Sequence, residues 1–203
     1  MKALVVVDVQ NDFCPGGAME VKGGNEVVSV ANAVMKKFGL VAATQDWHPA
    51  NHLAFAANHL WRRPGDTIRV EERELTLQHM HCVQGSFGAE FTPGLDTSTF
   101  ERVFVKGTNP GLDSYSAFFD EAHLKPTGLE EFLREKGVDE LYLLGLALDG
   151  CIKNSALDAL LLGFRAYVIL DGCRAANFQE GDSERAILEM TEKGAIIVES
   201  TEI

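Results

Sequence analysis

Residues 141–163, LYLLGLALDGCIKNSALDALLLG, decide the architecture. Leu141-Tyr142-Leu143-Leu144 is an apolar run with the length of a buried strand. Past Gly145, Ile152, Ala156, Leu157, Leu160 and Leu161 recur at helical spacing, and Gly163 is a helix stop. Cys151 therefore falls at a strand-to-helix turn, at or near the first turn of the helix. A thiol there meets the positive end of the helix dipole and unpaired backbone N–H groups, both of which favour the thiolate. The competing reading is a small buried residue in a tight turn, since free cysteine is among the most buried residue types.

The same alternation extends in both directions. Lys2 to Asp8 is a continuous apolar run ending in a carboxylate, as expected of a parallel strand covered on both faces. Asn25 to Phe38 carries Val27, Val30, Ala31 and Val34 at helical spacing, and Leu40 to Thr44 reads as the second strand. Arg102 to Lys106 is the third strand. Thr127-Gly128-Leu129-Glu130 has the pattern of a capping box and opens a helix that Gly137 ends. Glu140 to Leu144 is the fourth strand and Arg165 to Leu170 the fifth. A last helix, capped by Asp182 or Ser183, precedes a sixth strand at Ala195 to Val198. The expected fold is α/β: three layers, with a doubly wound, six-stranded, mostly parallel sheet and helices on both faces.

The 203 residues read as one domain, 1–203, interrupted by an irregular excursion at 49–100. Thr67-Ile68-Arg69-Val70 is a short outlying strand within it. His48, His52, His59, His79 and His81, five of the six histidines, lie in or beside this excursion, and of these His59 and His79, with the later His123, read as surface residues. A net charge of −12 argues against nucleic acid or an anionic membrane as partner. The Leu4–Val7 core is too short for a signal-peptide h-region, so the expected compartment is the cytoplasm. Cys14, Cys82, Cys151 and Cys173 show no CxxC and read as thiols, with Cys14 and Cys173 structural.

In open α/β sheets, ligands bind beyond the carboxyl ends of the strands. Asp8, Asp46, Lys106 and Cys151 stand at or just past four such ends, and parallel strands bring them to one edge. Any one of them alone is an ordinary solvated strand end. Together they supply a nucleophile (Cys151), a proton acceptor (Asp8) and a cation (Lys106), a set suited to amide hydrolysis through a thioester. Backbone N–H groups around Ala147 and Cys151 are candidates for an oxyanion hole. The alternative for Asp8 and Lys106 is a buried ion pair without chemistry. Asp46-x-His48, with His52 and His81 further on, is a donor set for Zn²⁺, Mn²⁺ or Fe²⁺. Hydrogen-bonding loop histidines are the alternative there.

These residues sit in recognisable strings. Val7-Asp8-Val9-Gln10-Asn11-Asp12-Phe13-Cys14-Pro15-Gly16-Gly17 resembles the opening motif of nicotinamidases in the isochorismatase-like (cysteine hydrolase) family. So do Thr44-Gln45-Asp46-Trp47-His48-Pro49-Ala50-Asn51-His52, His81-Cys82-Val83-Gln84-Gly85-Ser86, Lys106-Gly107-Thr108-Asn109-Pro110 and Asp113-Ser114-Tyr115-Ser116-Ala117-Phe118. Gly145-Leu146-Ala147-x-Asp149-x-Cys151 and Asp171-x-Cys173-Arg174 complete the series in order.

The resemblance implies Asp8, Lys106 and Cys151 as a catalytic triad. It implies Asp46, His48 and His81 as ligands of one divalent metal, with zinc first and iron or manganese as alternatives. It further implies a cis peptide before Ala147, N–H groups of Ala147 and Cys151 at the oxyanion, and Phe13 against a pyridine ring. The implied reaction is nicotinamide plus water to nicotinate and ammonia, a step of NAD salvage. The implied partner is a small amide, in a chain compatible with a homo-oligomer. His52 stays open between ligand and support. Three positions depart from the family pattern. Gln78-His79-Met80 stands where a Trp-Pro is usual, so an aromatic wall is absent or comes from Trp61 or Trp47. Leu148 replaces a Thr, and Gly150 replaces an aromatic residue. These departures keep two alternatives alive: an amidohydrolase of a carbamoyl, ureido or other small amide, and a ligand-binding member that has lost turnover.

Overall fold

A computed structural model describes residues 1–70, 73–120 and 122–203. Six strands form one sheet: β1 (Lys2–Val7), β2 (Val41–Asp46), β5 (Arg102–Lys106), β6 (Glu140–Leu146), β7 (Arg165–Arg174) and β8 (Ile196–Val198). Their order is β5-β2-β1-β6-β7-β8, and every pairing is parallel. The chain runs outward from β1 to one edge, then returns across it to build the other half. The direction of winding reverses between β1 and β6, and in such sheets the crevice at that point is the binding site. Residues Ala3 to Val7 of β1 are fully buried. An all-apolar central strand is what a sheet covered on both faces requires.

Four helices connect the strands: α1 (Val27–Met35), α2 (Leu129–Glu135), α3 (Lys153–Leu161) and α4 (Asp182–Glu192). The β1–α1–β2 and β6–α3–β7 units step in opposite directions along the sheet, so right-handed crossovers put α1 and α3 on opposite faces. The three-layer expectation holds. The strand at Thr67–Val70, β3, pairs antiparallel with β4 (Arg73–Thr76) and lies outside the main sheet.

Three local expectations are corrected. Neither capping prediction holds: α2 and α4 begin after Gly128 and Gly181, both left-handed, with no side-chain cap. Thr127 Oγ1 instead donates to the Ala117 carbonyl and accepts from the Leu129 N–H. Asp182 accepts from the Gln179 N–H, so it is the first residue of its helix rather than the cap. At residue 151, an α-helical first turn is replaced by a π-helical turn, Leu148–Ile152, which precedes α3. The wider turn seats Cys151 between β6 and the helix proper, and such turns are frequent at functional sites.

Candidate active site

Strand register assembles the site. Val7 lies beside Thr44 on one side and Gly145 on the other, and Asp46 lies beside Lys106. Asp8, the residue after β1, leaves the strand with φ +51 and is completely buried. Thr44 Oγ1 donates to Asp8 Oδ1 at 2.6 Å. Lys106 closes β5 and is also buried. Its ammonium lies 2.9 Å from Asp8 Oδ2 and donates to the Ser114 carbonyl at 2.9 Å, to Asp46 Oδ1, and to Cys151 Sγ at 3.3 Å. All three members of the predicted triad meet around that one nitrogen.

The electrostatics follow from burial. Desolvation raises Asp8, and the neighbouring Asp46 charge adds to it, against the opposing pull of Lys106. Desolvation likewise pushes the Cys151 thiol well up, with Lys106 opposing and the two carboxylates reinforcing. Lys106 is itself desolvated, yet Asp46, Asp8 and Cys151 together hold it well above the ordinary lysine range. The resting arrangement is a neutral thiol beside a carboxylate that takes up protons readily, both in contact with a fixed ammonium. The helix-dipole argument for a resting thiolate therefore loses to desolvation.

Asp46 carries the site across to the histidines. Its backbone is clamped by Gln10, whose side chain accepts from the Asp46 N–H and donates to the Asp46 carbonyl, both at 2.8 Å. Asp46, His48 and His81 are all buried, with candidate ligand atoms within 4.8 Å of one another. His81 Nδ1 donates to the His79 carbonyl at 2.8 Å, leaving Nε2 unprotonated and 4.0 Å from Asp46 Oδ2. Burial and His48 lower His81, so it is neutral, as a ligand must be. His48 Nδ1 is buried without a hydrogen-bond partner among the described residues. The cluster also holds two carboxylates against one ammonium. An orphaned imidazole nitrogen, a neutral imidazole and an excess negative charge fit a divalent cation.

His52 packs edge-on against His48, with ring centres 4.6 Å apart. Its Nδ1 accepts from the Ala54 N–H at 3.2 Å and its Nε2 donates to the Leu112 carbonyl at 3.1 Å. Both ring nitrogens are thereby engaged by backbone, which favours the supporting role over the ligand role. Phe13 is buried, with its ring centre 5.7 Å from that of His81. The peptide between Leu146 and Ala147 is cis. Cys82 turns its sulfur toward the Gly88 carbonyl and is in none of the candidate metal-donor groups among the described residues. His79 and His123 are exposed as expected, whereas His59 is only partly exposed and holds the Leu53 carbonyl. Trp61 is 97% exposed, so it builds no wall. Trp47 is partly buried against the core. Gln78 directs its amide to Tyr115 and Asp113.

Five contributors went unassigned by sequence reasoning: Gln10, Thr44, Phe55, Asp113 and Ser114. Gln10, Thr44, Asp113 and Ser114 stand inside the motif strings, which was the available signal. Phe55, whose ring touches those of His48, His52 and His81, had none.

Comparison with known proteins decides the family. The model of the Isochorismatase domain matches residues 2–202. The chain belongs to the isochorismatase family. It is 45% identical to the nicotinamidase of Escherichia coli over 97% of this chain and 93% of that protein. A solved nicotinamidase/pyrazinamidase of Acinetobacter baumanii superposes with a TM-score of 0.94 at 41% identity, covering 99% of this chain and 97% of that one. A pyrazinamidase of Pyrococcus horikoshii, solved in complex with zinc, superposes with a TM-score of 0.79 at 34% identity, covering 98% of each chain. Among the described residues, no helix is long and apolar enough to cross a membrane.

Proposed function

We propose that this isochorismatase-family protein is a metal-dependent amidohydrolase that converts nicotinamide and water to nicotinate and ammonia through a Cys151 thioester. The carrying observation is the cluster in which Lys106 touches Cys151, Asp8 and Asp46 at once, with the histidine set on the far side of Asp46. The similarity to nicotinamidases over nearly the whole chain supports the substrate.

In the first half-reaction, Asp8 accepts the thiol proton as Cys151 Sγ bonds to the amide carbonyl carbon. A raised carboxyl suits this role, because a base must also return the proton. The Lys106 ammonium stabilises sulfur as its charge develops. The N–H groups of Ala147 and Cys151 are assigned to the carbonyl oxygen as it becomes an oxyanion. Collapse breaks the C–N bond, Asp8 returns its proton to nitrogen, and ammonia departs. In the second half-reaction Asp8 takes a proton from water as the water oxygen bonds to the thioester carbon; the C–S bond then breaks, Asp8 returns that proton to the Cys151 sulfur to restore the thiol, and the product acid loses its remaining proton to solvent as nicotinate. Asp46, His48 and His81 would hold the metal, which supplies a Lewis acid for water and for a ring nitrogen. The mixed carboxylate and imidazole set suits zinc, with iron or manganese as alternatives. Phe13 is assigned to pack on the ring, a role supported by its ring centre lying 5.7 Å from that of His81.

The test is ammonia release across an amide panel: nicotinamide, pyrazinamide, benzamide, and an aliphatic carbamoyl compound. Nicotinamide should have the highest kcat/KM, with benzamide well below it because it lacks the ring nitrogen. A preference for the aliphatic carbamoyl compound would instead assign the protein to another amide.

A further inference from the structure

We propose that Ser155 is a positioning residue for the nucleophile: its hydroxyl joins the Cys151 turn to the segment that holds Lys106, and so sets the approach of the ammonium to the sulfur. This rests on the assignment of Cys151 as the nucleophile. Ser155 stands in the first turn of α3, four residues after Cys151, and is completely buried. Its Oγ donates to the Cys151 carbonyl at 2.6 Å and accepts from the Ala117 N–H at 2.8 Å. A hydroxyl carries one proton and two lone pairs, so both bonds form at once. The neighbouring Asn154 carboxamide donates to the Gly150 carbonyl at 2.9 Å, a bond that stays within the turn. Ser155 reaches across to another segment.

That segment leads to Lys106. Ala117 is buried in the connection between β5 and α2, where residues 114–118 belong to no helix or strand. With no ladder to fix the stretch, side chains hold its backbone groups. Thr127 Oγ1 donates to the Ala117 carbonyl at 2.7 Å, and Ser116 Oγ accepts from the Phe118 N–H at 3.1 Å. Three residues before Ala117, the Ser114 carbonyl accepts from the Lys106 ammonium at 2.9 Å, and that ammonium lies 3.3 Å from Cys151 Sγ. The path from the Cys151 carbonyl through Ser155, Ala117, Ser114 and Lys106 thus returns to the Cys151 sulfur. Without the Ser155 hydroxyl the Ala117 N–H is buried and unpaired. The segment relieves that cost by shifting, and it carries the Ser114 carbonyl and the ammonium with it.

The test is steady-state ammonia release from nicotinamide by the zinc-loaded, full-length protein. It compares wild type with Ser155→Ala, Ser155→Thr, Ser155→Cys and Cys151→Ala, with circular dichroism as a check of fold. Ser155→Ala should lower kcat about 10- to 100-fold, the cost of a displaced catalytic group, with KM within about twofold. Its inactivation by iodoacetamide should slow as well, because the cation that favours the thiolate has moved off. Ser155→Thr keeps the hydroxyl and should restore both readouts. A role in packing alone would lower the thermal midpoint and leave kcat and inactivation unmoved. Ser155→Cys keeps the volume and weakens both bonds. It covers the case in which the alanine variant fails to fold, and its kcat should fall in the same direction. Wild-type kcat in a folded Ser155→Ala, or in Ser155→Cys where the alanine variant does not fold, would overturn the role of Ser155 alone. So would a loss in Ser155→Thr as large as that in Ser155→Ala. Comparable release by Cys151→Ala would instead overturn the nucleophile assignment, and the role of Ser155 with it.

Discussion

Lys106 does two things at residue scale. Its ammonium neutralises charge that would otherwise be buried unpaired, and it ties Cys151, the proposed nucleophile, to the proposed ligand set through Asp46. Replacing it with methionine leaves two buried carboxylates without a cation. Losing one partner of a buried pair costs about 3–5 kcal/mol, so Lys106→Met should lower the denaturant midpoint markedly even with the fold intact. Asp8→Asn is a different experiment. It preserves shape and removes the proton acceptor, so kcat should fall by about 10²–10⁴-fold with KM little changed. Steady-state kinetics on nicotinamide check this, and near-normal kcat would remove Asp8 from the proton-transfer role.

At the scale of elements, the site depends on how closely β1 and β6 approach. Gly145 has φ +129, and a Cβ there would stand 2.0 Å from the Val7 carbonyl oxygen. Gly145→Ala should therefore cost more than about 3 kcal/mol, read as a lowered thermal midpoint or a failure to accumulate folded protein. Strands were legible because continuous apolar runs such as Leu4 to Val7 are unambiguous, and Asp8 and Lys106 visibly end theirs. Gly145 stands in a motif string, but nothing in the sequence shows its steric role, because the clash it avoids lies on a strand about 140 residues away. The capping patterns at Thr127 and Asp182 misled for a related reason. Both side chains have other partners in the fold, and a glycine before each helix already makes the entry. The π-helical turn was invisible, since Leu148-Asp149-Gly150 carries no periodicity. Asp149 shows the tertiary logic behind it: its carboxylate accepts from the Ala176 and Asn177 N–H groups, pinning the turn to the segment after β7.

For the whole molecule, the proposed ligands belong to the rim of the sheet and the core to its centre. Asp46 ends β2, while His48 and His81 lie on loops beyond it. Chelation should thus abolish activity but leave cooperative unfolding, with a midpoint lowered only by the lost binding energy. Loss of structure on chelation would make the metal structural instead. Alkaline pH should act on the core itself. Cys173, near the end of β7, is buried, and desolvation pushes its thiol from 9.0 to about 12. A raised folded value means that its contribution is complete below pH 9 and is lost as pH rises toward 12. Unfolding free energy measured from pH 8 to 11 should fall, and Cys173→Ala should flatten that slope. An unchanged slope would mean that the thiolate is tolerated in place. Of the five histidines clustered in sequence, His48, His52 and His81 lie in or near the site, and His59 and His79 lie outside it.

The covalent role of Cys151 is the claim on which the rest stands. Its direct measurement is ammonia release from nicotinamide by the zinc-loaded wild type and by Cys151→Ala, with circular dichroism on both. Steady release by the wild type, none above background by a folded mutant, is the result this account predicts. Comparable release by Cys151→Ala would contradict the thioester mechanism and move the chemistry away from the thiol.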